Sequence, residues 1–177
     1  MTARRENEPL VAGGTRRRKR ITWFAFAALG CLLAVQWLVA PLVVQTSRSM
    51  PRGVYVRSLA PIGVGSVVMF RSPEVVAPLL EAHGKATSVP LLKPVVGVGP
   101  MSLDTTGTRS VVGGVPMGPM EQVSSLGVAY PEHRTNRALE PGQVWVESSL
   151  SSSVDSRTFG PVDVSDCWGP YVLLWGW

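Results

Sequence analysis

The hydrophobic pattern divides the chain into one long apolar run followed by many short ones. Residues 21–44 form an apolar stretch without a single charge. As a helix rising about 1.5 Å per residue it would reach about 36 Å, enough to cross a hydrocarbon core of about 30 Å. A cleavable signal peptide has a shorter apolar run followed by small residues. The pattern therefore predicts an uncleaved transmembrane signal-anchor helix over 21–44, with a buried helix of a soluble core as the alternative.

Beyond residue 45, short valine-rich runs alternate with proline and glycine. These runs predict strands at 53–57, 66–70, 91–98, 143–147 and 171–175. The one helix expected here covers 75–83, and Pro78 weakens it. Residues 100–118 predict a loop or irregular insertion, and the serine-rich 148–153 has the composition of a linker. The domain over 45–177 is therefore expected to be mainly β, a compact barrel-like fold of short strands.

The net charge of +5 is confined to the first twenty residues. Residues 1–20 carry seven basic and two acidic groups, whereas residues 21–177 carry ten of each. Five consecutive basic residues, 16–20, adjoin the apolar run, so the positive-inside rule places this tail in the cytoplasm and residues 45–177 outside it. A nucleic-acid-binding domain needs a basic patch on its folded surface. The neutral remainder of the chain argues against that class.

Few residues of the neutral part can carry chemistry. His83 and His133 are expected to be ordinary surface residues, and no metal-binding or phosphate-binding motif is present, so no cofactor is expected. Lys85 lies in a polar turn, but Lys93 lies within an apolar strand. A buried lysine tends to lose its proton, and its pKa can fall from about 10.4 to about 7–8, where it can act as a general base. Strand alternation alone favours an outward-pointing Lys93.

A serine motif resembles that of a known peptidase family. Ser49 is followed by Met50 and Pro51 and preceded by Ser47, which resembles the nucleophile box of the serine–lysine signal peptidases. The stretch 46–57 is most similar to the TraF-type peptidases, which mature conjugative pilins. Four further stretches resemble the family's conserved boxes in the same order, at 63–70, 91–98, 139–146 and 153–162. The resemblance implies a signal-peptidase or LexA-like β fold behind the anchor helix.

The resemblance also implies roles for individual residues. Ser49 would be the nucleophile and Lys93 the base, and the Ser47 hydroxyl would join the Ser49 N–H in an oxyanion hole. Ser153 would hydrogen-bond Lys93 and fix its direction. A carboxylate touching Lys93 would stabilise its ammonium form, which opposes base catalysis. A pair between Asp155 and Arg157, two residues apart on one extended face, is therefore favoured, and a direct catalytic role for Asp155 stays open.

The chain departs from the family pattern at three places. Pro94 follows the lysine where an arginine is usual, and 98–101 reads Val-Gly-Pro-Met in place of a Pro-Gly-Asp turn. Residues 147–149 read Glu-Ser-Ser in place of a Gly-Asp-Asn run. These departures favour the TraF-like branch over the housekeeping leader peptidases.

The resulting hypothesis is a membrane-anchored serine endopeptidase of the bacterial inner membrane, with a cytoplasmic tail (1–20), an anchor (21–44) and a periplasmic peptidase domain (45–177). Its partners would be the lipid bilayer and a signal-bearing precursor such as a conjugative pilin, which it would cleave. The resemblance also implies ring closure of the processed pilin. Trp168, Trp175 and Trp177 would lie at the lipid headgroups, or would instead fill the core or close a strand. One alternative is a non-catalytic membrane-anchored component of a pilus or secretion assembly. Another is a self-cleaving repressor-type protease, against which the apolar segment argues.

Overall fold

The computed structural model describes Gly30 and residues 42–177 apart from Gly107. Most of the predicted anchor helix therefore lies outside the described residues. Its last three residues, 42–44, belong to a β-strand, because they pair with residues 54–56, so the prediction of helix was wrong there. Within the described part of the chain, no helix combines the length and the apolar character that crossing a bilayer needs.

One antiparallel sheet of seven strands dominates residues 42–177. Its order is β1-β2-β10-β3-β4-β8-β9. These strands are β1 (Leu42–Gln45), β2 (Gly53–Arg57), β3 (Val67–Arg71), β4 (Pro90–Val98), β8 (Gln143–Val146), β9 (Val162–Asp163) and β10 (Trp168–Gly176). All five strands predicted from the sequence are present, with ends that differ by at most three residues. The prediction of a mainly β domain is confirmed.

The valine-rich strands form the core because both faces of the central strands are covered. On one side of the sheet, β3, β4, β8 and β9 bury a cluster formed by Val68, Phe70, Val95, Val144, Val146 and Val162. On the other side of β8, Trp145 is fully buried against Leu103, Val112 and Leu139. A strand buried on both faces reads as a continuous apolar run, as 144–146 does.

Residues 100–118, predicted as an irregular loop, form a second sheet. It contains β5 (Leu103–Thr105), β6 (Ser110–Val112) and β7 (Val115–Pro116). Gly113 and Gly114 have φ values of 59° and 80°, which a tight hairpin turn between β6 and β7 requires. The strands are too short to show an alternating pattern, which is why the sequence did not predict them.

Two short α-helices and two 3-10 turns lie within residues 42–177, the second of these turns at Val164–Asp166. A 3-10 turn (Glu74–Val76) leads into α1 (Ala77–Ala82), and Pro78 lies in the first turn of α1, where a missing N–H costs little. The predicted helix over 75–83 is therefore present, although shorter. The second helix, α2 (Ser156–Phe159), begins directly after Asp155.

Candidate active site

Ser49 lies in the loop between β1 and β2, and its neighbours fix this loop to the core. The next residue, Met50, is buried in a cluster with Tyr55 and Leu92. The Tyr55 hydroxyl donates a hydrogen bond of 2.9 Å to the carbonyl oxygen of Pro51. The Ser-Met-Pro motif therefore has a structural reason: the methionine and the proline carbonyl hold a half-buried Ser49 in place.

A chain of hydrogen bonds reaches Ser49 from the end of β1. Gln45 Nε2 donates to Ser47 Oγ at 2.7 Å, and Ser47 Oγ lies 2.9 Å from Ser49 Oγ. Because the amide nitrogen of Gln45 can only donate, Ser47 accepts that bond and keeps its own hydrogen to donate. Ser47 is thereby prepared to donate a hydrogen bond towards Ser49 or towards an oxygen that forms beside it.

Lys93 is buried, contrary to the outward orientation that strand alternation favours. It is only 4% exposed, and its Nζ donates to Ser153 Oγ at 2.6 Å. Its neighbour Leu92 is buried as well, because β4 is covered on both faces at this point. Burial lowers the pKa of Lys93 to about 8. The negative charge of Asp155 opposes this shift, and the positive charges of Arg157 and Lys85 reinforce it.

Ser49 and Lys93 line the same cavity of about 430 Å³, together with Ser47 and Ser153. Among the described residues no hydrogen bond joins Ser49 directly to Lys93; each is bonded to a different serine. Catalytic hydrogen bonds commonly shorten when substrate binds. A second cavity, of about 690 Å³, is lined by Ser49 as well, and Arg48 lines both cavities. Ser49 therefore lies between two spaces, which suits attack on a bond within an extended peptide.

Asp155 and Arg157 form a buried ion pair, as favoured from the sequence. Their side chains are 0% and 1% exposed, and Arg157 Nη2 lies 2.7 Å from Asp155 Oδ2. The geometry differs from the extended face that was expected, since Asp155 caps the N-terminus of α2 by accepting from the Arg157 N–H. Burial alone would lower the pKa of Arg157, but the hydrogen-bonded Asp155 carboxylate and the nearby Glu147 outweigh it and raise that pKa, so the guanidinium stays charged.

Arg157 also ties together several loops around the cavity. Its Nη1 donates to the carbonyl oxygens of Gly118 and Pro119 at 3.2 and 3.0 Å. Its Nη2 donates to those of Ser148 and Leu150 at 3.2 and 3.0 Å. Since the guanidinium group is rigid and planar, these bonds fix the positions of two separate chain segments relative to α2.

Glu147 is a second buried carboxyl group beside the ion pair. Its Oε2 accepts from Ser110 Oγ at 2.5 Å and from Trp145 Nε1 at 3.0 Å. Its Oε1 lies 3.6 Å from Arg157 Nη1 and has no hydrogen-bond partner within the described part of the chain. Burial raises the pKa of Glu147, and its two hydrogen bonds and Arg157 only partly oppose this shift.

We expect Glu147→Gln to be tolerated and to change how stability depends on pH. A raised carboxyl pKa means that the folded state loses stability relative to the unfolded state as pH rises through the interval between the ordinary and the raised value. Glutamine cannot ionise, so the free energy of unfolding of the variant should increase relative to that of the natural protein as the pH is raised from 4 to 8. Urea unfolding of both proteins at each pH measures this, and a constant difference between them would contradict it.

The two histidines lie outside this cavity. His83 is exposed at the end of α1, as expected, but His133 is half-buried against the ring of Trp145, at a centroid distance of 5.9 Å. The prediction of a surface His133 was therefore wrong, and burial lowers its pKa. His133 also explains Gly160: this residue has φ of 90°, and a β-carbon there would lie 2.9 Å from the imidazole ring.

Three residues around the site were not predicted to take part in it. Gln45 is the first residue after the apolar run, and no sequence motif indicates the hydrogen bond that it donates to Ser47. Glu147 and Ser148 were noted only as departures from a family pattern. Ser148 is 2% exposed and donates to the carbonyl oxygen of Ser49 at 2.5 Å. The linker-like composition of 148–153 hides this burial, since small polar residues resemble a loop in sequence.

Comparison with known protein families decides the class of the protein. The family model described as signal peptidase, peptidase S26, matches residues 17–177. The chain belongs to the signal peptidase family S26. It is therefore a serine peptidase of the class that cleaves signal-bearing precursors. A search of curated proteins found no match.

Among solved structures, the chain is similar to a signal peptidase I from Enterococcus faecalis. The two sequences are 17% identical, and the TM-score is 0.39. The similarity covers 64% of this chain and 98% of the other.

Proposed function

We propose that the protein is a membrane-anchored serine endopeptidase in which Ser49 is the nucleophile and Lys93 the general base. It cleaves exported precursors at the outer face of the bacterial cytoplasmic membrane. The observation that carries this proposal is the shared cavity, where a buried Lys93 with a pKa of about 8 lies near Ser49. A lysine in this state can accept a proton near neutral pH, which an exposed lysine cannot do.

Each residue of the cavity has a chemical task in this mechanism. Neutral Lys93 takes the proton of Ser49 Oγ as that oxygen attacks the scissile carbonyl carbon. The resulting oxyanion accepts hydrogen bonds from the Ser49 N–H and the Ser47 hydroxyl. As the peptide C–N bond breaks, Lys93 returns the proton to the leaving amine. Lys93 then deprotonates the water that hydrolyses the acyl ester, while Ser153 keeps Nζ directed into the cavity.

Two features support the membrane anchor. The apolar run over 21–41 directly precedes β1, so Ser49 can lie at most about 29 Å of extended chain from its end. Trp168, Trp175 and Trp177 are 40%, 70% and 61% exposed, so none of them fills the core. Exposed tryptophan favours the headgroup level of a bilayer. Both features fit a catalytic domain that works next to the membrane in which its substrate is embedded.

We assign the substrate to the conjugative pilin precursors, because the Ser49 box and the changes at Pro94 and 147–149 resemble the TraF-type branch. The same chemistry allows ring closure. Ring closure requires that the segment removed lies on the C-terminal side of the cut, so that it leaves as the amine and the pilin itself remains as the acyl group on Ser49. The N-terminal amino group of that pilin then attacks the ester in place of water. An amide bond forms, the ester bond breaks, and Lys93 passes the amine proton back to Ser49.

Reconstituted full-length protein tests this proposal. Lipid vesicles that contain the protein should convert a conjugative pilin precursor into one discrete pilin product. A precursor that lacks its signal segment should not be cut. Mass spectrometry then distinguishes a linear product from a cyclic one, which lacks the mass of one water molecule. The matched variants are Ser49→Ala, which should give no product, and Ser151→Ala, which removes an exposed hydroxyl bonded to Glu121 and should behave as the natural protein.

Three results would overturn the proposal. If no precursor is cut, the protein acts as a non-catalytic component of a pilus or secretion assembly. If Ser49→Ala cuts the precursor as well as the natural protein does, Ser49 is not the nucleophile. If the protein cuts only its own chain, the activity is that of a self-cleaving protease.

A further inference from the structure

Ser148 has all of its polar groups engaged, although it lies in a serine-rich segment. Its N–H donates to Asp155 Oδ2 at 3.1 Å, and its carbonyl oxygen accepts from Arg157 Nη2 at 3.2 Å. Its hydroxyl oxygen accepts from the N–H of Leu150 at 3.2 Å. Both members of the buried ion pair therefore hold the backbone of Ser148, and its hydroxyl hydrogen remains for one further bond.

That bond goes to the backbone of Ser49, 99 residues earlier in the chain. Ser148 Oγ donates to the carbonyl oxygen of Ser49 at 2.5 Å. The side chain of Met50 and the carbonyl of Pro51 hold the residues after Ser49, but neither contact acts on the Ser49 backbone itself. Within the described residues, Ser148 is therefore the side chain that fixes the carbonyl group of the nucleophile.

We propose that Ser148 is a positioning residue, whose hydroxyl sets the orientation of the Ser49 backbone for catalysis. This inference rests on the proposed function of Ser49. Rotation about the bonds of Ser49 moves its Oγ and its N–H, which supply the nucleophile and one oxyanion donor. Holding the carbonyl of the same residue restricts that rotation. Misplacing a reacting group by about 1 Å can cost about a hundredfold in rate.

The same segment also holds the base. Ser153, five residues after Ser148, accepts the hydrogen bond from Lys93. Asp155 and Arg157 fix this segment at its beginning through Ser148 and at its end through α2. The segment 148–157, held by its buried ion pair, therefore sets the position of Ser49 through Ser148 and that of Lys93 through Ser153.

Three variants separate positioning from simple stability. Ser148→Ala removes the hydroxyl, Ser148→Thr keeps it, and Ser151→Ala removes an exposed hydroxyl in the same segment. We expect Ser148→Ala to lower kcat for precursor cleavage by about tenfold to a hundredfold with little change in KM, because substrate contacts remain. The pH at which the rate is half-maximal should stay unchanged, since Lys93 keeps its hydrogen bond to Ser153. Ser148→Thr should recover most of the rate, and Ser151→Ala should match the natural protein.

A measurement without substrate tests the contact independently of the proposed function. Amide hydrogen exchange over residues 46–52 of the full-length protein should be faster in Ser148→Ala and close to normal in Ser148→Thr and Ser151→Ala. Unchanged exchange in Ser148→Ala would overturn the inference even if the protein proves not to be a peptidase. If exchange changes in an active enzyme but kcat does not, Ser148 stabilises the loop without positioning the nucleophile, and the inference also fails. If the natural protein and all three variants fail to cleave the precursor, but exchange is faster only in Ser148→Ala, the proposed function is contradicted and the Ser148 contact is not.

Discussion

Replacing Lys93 with alanine will lower kcat/KM for precursor cleavage by about 10²–10⁴-fold, because the variant loses the buried amine that takes the Ser49 proton. Lys93→Arg should be as poor, since a guanidinium group remains protonated at any usable pH. Initial rates with the full-length protein in vesicles measure the loss. Retention of more than about a tenth of the natural activity in Lys93→Ala would exclude Lys93 as the base.

Lys85→Ala is the matched control, because it removes the other lysine near the cavity. Lys85 is exposed, and its charge contributes to lowering the pKa of Lys93. The variant should therefore keep its maximal rate at high pH and reach it at a slightly higher pH than the natural protein. A loss of maximal rate as large as that of Lys93→Ala would mean that the two lysines have been assigned the wrong roles.

The pH profile supplies a separate test of the same base. Only neutral Lys93 can accept a proton, and its pKa is lowered to about 8. The rate should therefore rise with pH, pass its half-maximal value near pH 8 and level off above it. A rate that is constant between pH 6 and pH 9 would contradict a base with this pKa.

The second large effect concerns stability. Asp155→Ala should lower the free energy of unfolding by about 3–5 kcal/mol, because it leaves the buried Arg157 without its carboxylate partner. The N–H groups of Ser148 and Arg157 lose their acceptor at the same time. Urea unfolding of the full-length protein measures this loss, with the fluorescence of the buried Trp145 as a convenient signal.

A surface pair gives the control for this prediction. Arg134 and Glu132 are joined at 2.6 Å, but the arginine side chain is 70% exposed. Exposed pairs contribute about 1 kcal/mol or less, so Glu132→Ala should have little effect. Similar losses in Asp155→Ala and Glu132→Ala would show that the buried pair does not hold the site together.

The sequence predicted the strands well and their environment poorly. Valine-rich runs between glycine and proline located β2, β3, β4, β8 and most of β10, because local composition decides where such strands begin and end. Whether Lys93 points outward or inward depends on what covers β4, and the segments that cover it lie elsewhere in the chain. Alternation within one strand could not supply that information, so it favoured the wrong side.

The site shows the same limit. The nucleophile box and the pairing of Asp155 with Arg157 were visible because their residues are close in sequence. The bond from Ser148 to Ser49 joins residues 99 positions apart, and the roles of Gln45 and Glu147 depend on folded neighbours. The small sheet over 103–116 was missed for a related reason, since two- and three-residue strands leave no periodic signal.

The position of β10 in the main sheet affects when activity can arise. The loop with Ser49 is attached to β2, and Lys93 lies in β4, beside β3; β10 lies between β2 and β3. Synthesis begins at the N-terminus, so the ribosome makes β10 after every other strand of this sheet. Until β10 inserts, no strand joins the half that carries Ser49 to the half that carries Lys93. Under the proposed mechanism, a partly synthesised chain is therefore expected to stay inactive until β10 has joined the sheet.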